Sequence, residues 1–216
     1  MQSGLFDDIP QAPVTLAEGA VVLPQFVGDR SVAITEGLLA VAKAAPFRNM
    51  VTPGGRRMSV AMTNCGPLGW VSDAQGYRYT AHDPIGGAAW PEMPQVFAVL
   101  AKEAANAAGY EGFVPDACLI NRYDIGSKLS LHQDRDEEGF EHPIVSVSLG
   151  IPAVFLFGGL NRSDPKRKIQ LEHGDVVVWG GSSRLRYHGI QPIKDAQHPA
   201  LGPFRYNLTF RRAKES

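Results

Sequence analysis

The chain has 216 residues, 44% hydrophobic and 20% charged, with a formal net charge of −1 at pH 7. That length gives one domain around one core, and the composition excludes a disordered or collagen-like chain. The near-neutral balance argues against a uniformly basic nucleic-acid binder, yet it is uneven: residues 1–116 hold 7 basic and 11 acidic groups, net −4, and residues 117–216 hold 14 and 11, net +3.

No uninterrupted apolar run nears the roughly 20 residues that cross a bilayer. Met1–Pro10 carries Asp7 and Asp8 where a signal peptide would have a basic end and an apolar core, so a cytoplasmic protein with no membrane partner is expected. Ser31 can cap a helix running to Ala45, where Pro46 blocks continuation. Residues 46–93 then hold seven glycines, five prolines and the aromatics Trp70, Tyr77, Tyr79 and Trp90. Such a segment reads as a long irregular lid or binding loop. A second helix starts at Pro94, repeats Val96, Phe97, Leu100 and Ala104 at helical spacing, and stops at Gly109.

After residue 116 the period becomes alternating. Ala117–Tyr123, Ile144–Leu149, Ala153–Phe157, Ile169–Leu171, Asp175–Trp179 and Arg205–Arg211 are strand-like runs between turn residues. The architecture expected is mainly β with α: an N-terminal helical and loop layer on a C-terminal antiparallel sandwich, a barrel or jelly roll. One domain spans 1–216, with helices and lid in 1–116 (lid about 46–93) and the β core in 117–216. Cys65 and Cys118 lack metal-ligand spacing and read as small buried hydrophobes.

There is no P-loop, Gly-x-Gly-x-x-Gly, Gly-x-Ser-x-Gly or His-Glu-x-x-His. His132 and Asp134 stand two apart, and in extended backbone both project from one face, as two cis ligands of an open iron(II) site would. A third ligand must come from elsewhere. His82 lies in the loop-rich half, and His142, His173 and His198 sit beside turn residues, whereas His188 ends the run Leu185-Arg-Tyr-His188 in an expected strand. In Arg205–Arg211 alternation puts Arg205, Asn207, Thr209 and Arg211 on one face and Tyr206, Leu208 and Phe210 on the other. Two guanidiniums on one face of a barrel strand point to a carboxylate-rich ligand.

His132-x-Asp134, His188, Arg205-x-Asn207-x-Thr209-x-Arg211 and Asn121-Arg122-Tyr123 resemble the AlkB family of iron(II)- and 2-oxoglutarate-dependent nucleic-acid dealkylases. The resemblance is nearly full-length, since Met50–Gly55, Met58–Cys65 and Pro115–Tyr123 also resemble bacterial alkylation-repair members. It implies a double-stranded β-helix with N-terminal helices and a nucleotide-recognition lid, the iron being held by His132, Asp134 and His188. It further implies that Arg205, Asn207 and Tyr123 hold the distal carboxylate of 2-oxoglutarate, with Arg211 and Asn121 at the end nearer the metal. The activity implied is oxidative demethylation of bases such as 1-methyladenine and 3-methylcytosine, with O2 consumed and succinate, CO2 and formaldehyde released.

The partner implied is alkylated DNA, single-stranded by preference, with double-stranded DNA and RNA left open, and the protein acting as a monomer. Trp70 and His132 would sandwich the extruded base and Asp136 would meet its exocyclic group. Thr52, Met62, Tyr77, Arg78, Tyr79 and Arg162 would line the pocket or grip the strand, while Trp90 and Trp179 read as packing. Arg56-Arg57 stands where a tyrosine is expected in the nearest relatives, which makes that backbone contact ionic. Two other readings keep the same residues: a hydroxylase of protein or small molecules, which assigns the lid elsewhere, and a silent barrel, which the intact triad disfavours.

Overall fold

The computed structural model describes residues 12–214, so Met1–Pro10 lies outside the described residues. Val14–Ala17 (β1) and Ala20–Leu23 (β2) form a hairpin that the sequence patterning did not indicate. Its turn needs a glycine: Gly19 has φ +70°, and a Cβ there would sit 2.6 Å from Gly180 O. Ser31–Ala44 (α1) follows, then Arg48–Val51 (β3), Arg57–Cys65 (β4), Gly69–Asp73 (β5), Gly76–Thr80 (β6) and Gln95–Ala107 (α2). The rest is Ala117–Tyr123 (β7), Leu129–His132 (β8), Ile144–Gly150 (β9), Ala153–Phe157 (β10), Arg167–Leu171 (β11), Val176–Trp179 (β12), His188–Ile190 (β13) and Arg205–Arg211 (β14).

Two antiparallel sheets face each other as a jelly roll. The larger has strand order β1-β2-β12-β9-β14-β7-β4-β3 and the smaller β11-β10-β13-β8, while β5 and β6 form a separate two-stranded hairpin. Every residue of β14 is buried, so its alternation divides two interiors. Tyr206, Leu208 and Phe210 join Ile34, Leu38 and Val41 of α1 and Phe97, Leu100 and Ala104 of α2 in one core. Each large apolar side chain there contributes about 1.5–3 kcal/mol, which fixes both helices on the outer face of the larger sheet. The opposite face looks between the sheets, where Tyr123, Trp179, Phe155, Phe157 and Ile190 form the second core.

Several expectations change in detail. Ser31 does not cap α1: a 3₁₀ turn at Gly28–Arg30 leads into the helix, and the Ser31 hydroxyl lies 2.7 Å from His173 Nε2. Pro94 is the N-cap of α2 rather than part of its first turn, and Gly109, with φ +87°, follows the C-cap Ala108. The segment 46–93 is not irregular throughout. β3 and β4 belong to the larger sheet, and only the β5–β6 hairpin and its flanks stand apart as a lid. The strand expected over Leu185–His188 starts at His188, because residues 184–187 turn before it. Cys65 and Cys118 face each other across β4 and β7, both buried.

Candidate metal and cosubstrate site

His132 ends β8 and His188 opens β13, and the two are register partners on the smaller sheet. Their rings lie 4.4 Å apart, centroid to centroid. Asp134 follows β8 by two residues, with Oδ1 at 3.5 Å from His132 Nε2 and Oδ2 at 3.7 Å from His188 Nε2. The three ligand atoms lie within 4.8 Å of one another, and this is the only group of metal-ligand type among the described residues. His132 Nδ1 stands 2.9 Å from Ser130 O and His188 Nδ1 3.0 Å from Arg186 O. A carbonyl can only accept, so both Nδ1 atoms donate to the backbone and both Nε2 atoms are turned toward the Asp134 carboxylate. Burial, with His132 adding to it, lowers His188 to about 4, leaving a neutral imidazole at pH 7. Burial alone would raise Asp134, but the Arg211 guanidinium holds it well below the usual carboxylate range. Two imidazoles and one carboxylate are the donor set of an open iron(II) site.

A cavity of about 680 Å3 opens beside the triad between the two sheets. Asn121, Tyr123, Arg205, Asn207 and Arg211 all line it. Arg205 is 1% exposed, lies over the Tyr123 ring at 4.9 Å and donates from Nη2 to Ser148 Oγ at 3.2 Å. Its Nε and Nη1 are buried without a hydrogen-bond partner. No carboxylate among the described residues pairs with it, and burial lowers its pKa. Asn207 Nδ2 donates to Ser146 Oγ at 2.8 Å and to Val147 O at 3.0 Å. Asn121 Oδ1 is likewise buried without a partner. Leaving a buried guanidinium short of acceptors is costly, so this corner fits an anionic ligand supplied from outside the chain.

The lid is tied down from below. Asn64, fully buried, accepts from Trp70 N at 3.0 Å and donates to Trp70 O at 3.0 Å. Trp70 stacks on Tyr77, centroids 5.7 Å apart and planes 13° apart, and its Nε1 donates to Asp136 Oδ2 at 2.8 Å. Asp136 is thus at the cavity mouth with an acceptor directed to the tryptophan. Tyr79 OH donates to Glu137 Oε1 at 2.7 Å, and burial raises its pKa well above the ordinary tyrosine value. Thr52, Met62, Tyr77 and Arg162 also line the cavity, Arg162 lying 5.1 Å over the Tyr187 ring. Arg78 does not. It forms a two-point pair with Asp73, both contacts 2.8 Å, which takes it out of the pocket lining. The short separation within one hairpin satisfies that guanidinium locally.

Trp90 packs as expected, donating to Thr80 O at 2.9 Å and filling the space in which Gly69 has no Cβ. Trp179 is both packing and cavity wall, its ring centroid 4.9 Å from that of His188. His173 and His198 stack on each other away from the triad, 4.4 Å between centroids. Sequence reasoning missed Ser146, Ser148, Arg184 and Glu137. Glu137 sits in the run Asp136-Glu137-Glu138, which carries every mark of a solvated loop, although its side chain is 1% exposed.

The family model of the 2OG-Fe(II) oxygenase superfamily matches residues 19–211. The chain is 59% identical over 211 residues to the alpha-ketoglutarate-dependent dioxygenase AlkB of Salmonella typhimurium, covering 98% of each chain. It is 30% identical to the mouse protein named nucleic acid dioxygenase ALKBH1, over 74% of this chain and 39% of that one. The solved structure of OsALKBH1 superposes with a TM-score of 0.81 at 34% identity, covering 93% of this chain and 100% of that chain.

Proposed function

The chain belongs to the AlkB family of the 2OG-Fe(II) oxygenase superfamily, and from that footing we propose that it is a direct-reversal repair enzyme removing N-alkyl groups from bases of nucleic acid. When bound, iron(II), 2-oxoglutarate and O2 supply the oxidising power: the alkyl carbon gains a hydroxyl group, 2-oxoglutarate becomes succinate and CO2, and a hydroxymethyl group leaves as formaldehyde.

The chain's own residues hold and orient. His132, Asp134 and His188 present their ligand atoms from two paired strands and the residue two beyond them, with both imidazoles fixed by backbone carbonyls. Arg205 with Asn207 and Tyr123 takes the distal carboxylate of 2-oxoglutarate, and Arg211 with Asn121 the end nearer the metal. The observation that carries the reading is the Arg205 guanidinium, fully buried with two nitrogens unpaired and no carboxylate among the described residues paired with it. A dicarboxylate answers that charge, whereas water would leave it uncompensated.

The lid gives the substrate class. An aromatic pair with a carboxylate at its edge, Trp70 on Tyr77 with Asp136, can stack a flat ring and accept from an exocyclic amino group. Adenine and cytosine carry that group, so 1-methyladenine and 3-methylcytosine are the lesions proposed, the base being held between Trp70 and His132. Arg56, Arg57 and Arg162 at the cavity rim meet phosphates. Extrusion costs a few kcal/mol and least from an unpaired strand, which favours single-stranded DNA. No helix among the described residues is long and apolar enough to cross a membrane; the proposal further takes the protein to act as a monomer in the cytoplasm.

The experiment is direct. Given iron(II), 2-oxoglutarate and a single-stranded oligonucleotide with one 1-methyladenine, the protein releases one formaldehyde per lesion. Succinate formed without any formaldehyde from the oligonucleotide defeats the nucleic-acid reading and leaves a hydroxylase of another substrate.

A further inference from the structure

Behind the triad lies a second set of charges, in which Glu137 and Arg184 have no contact with substrate or cosubstrate assigned to them. Glu137 Oε1 accepts from Tyr79 OH at 2.7 Å and lies 3.2 Å from Arg211 Nε, while Oε2 lies 3.0 Å from Arg184 Nη2. Arg211 Nη2 donates to Asp134 Oδ2 at 2.7 Å, and Arg184 Nη1 donates to the backbone carbonyl of Asp134 at 2.8 Å. All four charged side chains are at most 8% exposed. Asp134 and Glu137 therefore balance Arg184 and Arg211, two charges of each sign, at the wall of the cavity with little exposure to water. Stability alone is a weak reason for such a cluster, since well-packed apolar residues do as well or better than buried ion pairs.

We infer that Glu137 is a positioning residue of the metal centre: by sharing Arg211 and Arg184 it keeps Asp134 from serving as the sole counter-ion of two buried cations, so that the Asp134 carboxylate stays available to a dication. Without the Glu137 charge the cluster would carry a net +1, Arg211 would bear on Asp134 alone, and a divalent cation would meet both competition for its ligand and repulsion. The Tyr79 hydroxyl fixes the carboxylate from the lid side. This inference rests on the triad being the metal site.

The consequence has a sign that a purely structural role lacks. Glu137→Gln keeps the size and an acceptor for Tyr79 but removes the charge. It weakens cation binding, roughly 10- to 100-fold as for other groups that orient a metal's ligands, and leaves unchanged or tightens the binding of the 2-oxoglutarate dianion. The measurement is calorimetric titration of Mn(II) into metal-free protein, then of 2-oxoglutarate into protein saturated with Mn(II), with circular dichroism to establish folding. Glu137→Asp, which keeps the charge, stays within about threefold of the parent for both.

Unchanged Mn(II) affinity in Glu137→Gln overturns the inference, and so does parallel loss of both ligands. Should that variant not fold, the pair Glu137→Gln with Arg184→Gln, which removes one charge of each sign, is measured instead. Mn(II) affinity within about threefold of the parent supports the charge-sharing role, and a tenfold loss overturns it. If the parent itself fails to bind Mn(II), it is the metal-site reading that falls.

Discussion

The two ends of β14 carry the same residue on the same face, and their surroundings are opposite. Arg205 lies on an aromatic ring with one serine hydroxyl for company and two nitrogens unpaired. Arg211 is held by two carboxylates, Asp134 and Glu137, which raise its pKa although burial alone would lower it. A satisfied buried guanidinium is a component of the fold, whereas an unsatisfied one is stabilised only when its partner arrives. The distinction separates what the chain completes by itself from what it leaves to a ligand.

The largest effect comes from breaking the completed end. Asp134→Ala removes a metal ligand and one of the two anions on Arg211, so formaldehyde release falls to background and Mn(II) binding is lost. The chain still folds, because Glu137 remains on Arg211 and the sheets do not depend on the metal as a zinc finger does. Residual iron-dependent turnover would mean that the carboxylate is no ligand.

Next in size are the two arginines themselves. Arg205→Met raises the apparent KM for 2-oxoglutarate by tens of fold or more, since a buried carboxylate without its partner costs about 3–5 kcal/mol. Yet in urea the ligand-free variant is as stable as the parent or more so, because no ion pair among the described residues is broken. Arg211→Met strands Asp134 and Glu137 and loses about 3–5 kcal/mol. Equal stability losses at the two positions would erase the comparison.

That contrast also marks what was legible in the sequence. The Arg-x-Asn-x-Thr-x-Arg run stood out because a strand buried on both faces shows its period in every residue, and polar side chains recurring on one face need a reason. His132 and Asp134 were visible because their spacing is local. The partners of Arg211 were not, since Glu137 lies in an acidic run and only the folded chain brings Arg184 and Tyr79 to it. β4 was taken into a loop because glycines and prolines crowd both sides of it, although β7 pairs with it along five register positions. The resemblance puts Arg78 in the pocket or on the strand, and its pairing with Asp73 inside the same hairpin keeps it out of the pocket lining.

Trp70→Ala tests the lid against the floor. Loss of about 1–3 kcal/mol of stacking weakens capture of a methylated oligonucleotide roughly 5- to 150-fold, while consumption of 2-oxoglutarate without substrate persists. Oligonucleotide affinity falls with salt at a slope of about −0.7 per phosphate contact, shallow because few basic groups reach the rim. A variant that binds like the parent, with no salt slope in either, removes the base sandwich.

The smallest effect belongs to the Arg205 end alone. Gly150 opposes Arg205 across β9 and β14, and its N–H donates to His173 Nδ1 at 3.0 Å. His173 Nε2 therefore carries the proton and donates to Ser31 Oγ. Burial, and then His198 stacked on it, lower the His173 pKa, with Asp175 opposing. A depressed histidine is neutral in the fold but takes a proton in the unfolded chain near the ordinary value of about 6.5. Stability from this group is thus undiminished above that pH and declines as pH falls below it, by less than the roughly 1.4 kcal/mol per unit of one full proton. Measured in urea at pH 7.5 and 5.5, the parent loses more stability on acidification than His173→Asn does. Since the imidazole supports the strand turn opposite Arg205 and touches nothing at Arg211, 2-oxoglutarate affinity follows the same acid decline and Mn(II) affinity shows no difference between parent and variant. A variant that tracks the parent through both pH values would detach the histidine from the Arg205 end of the strand.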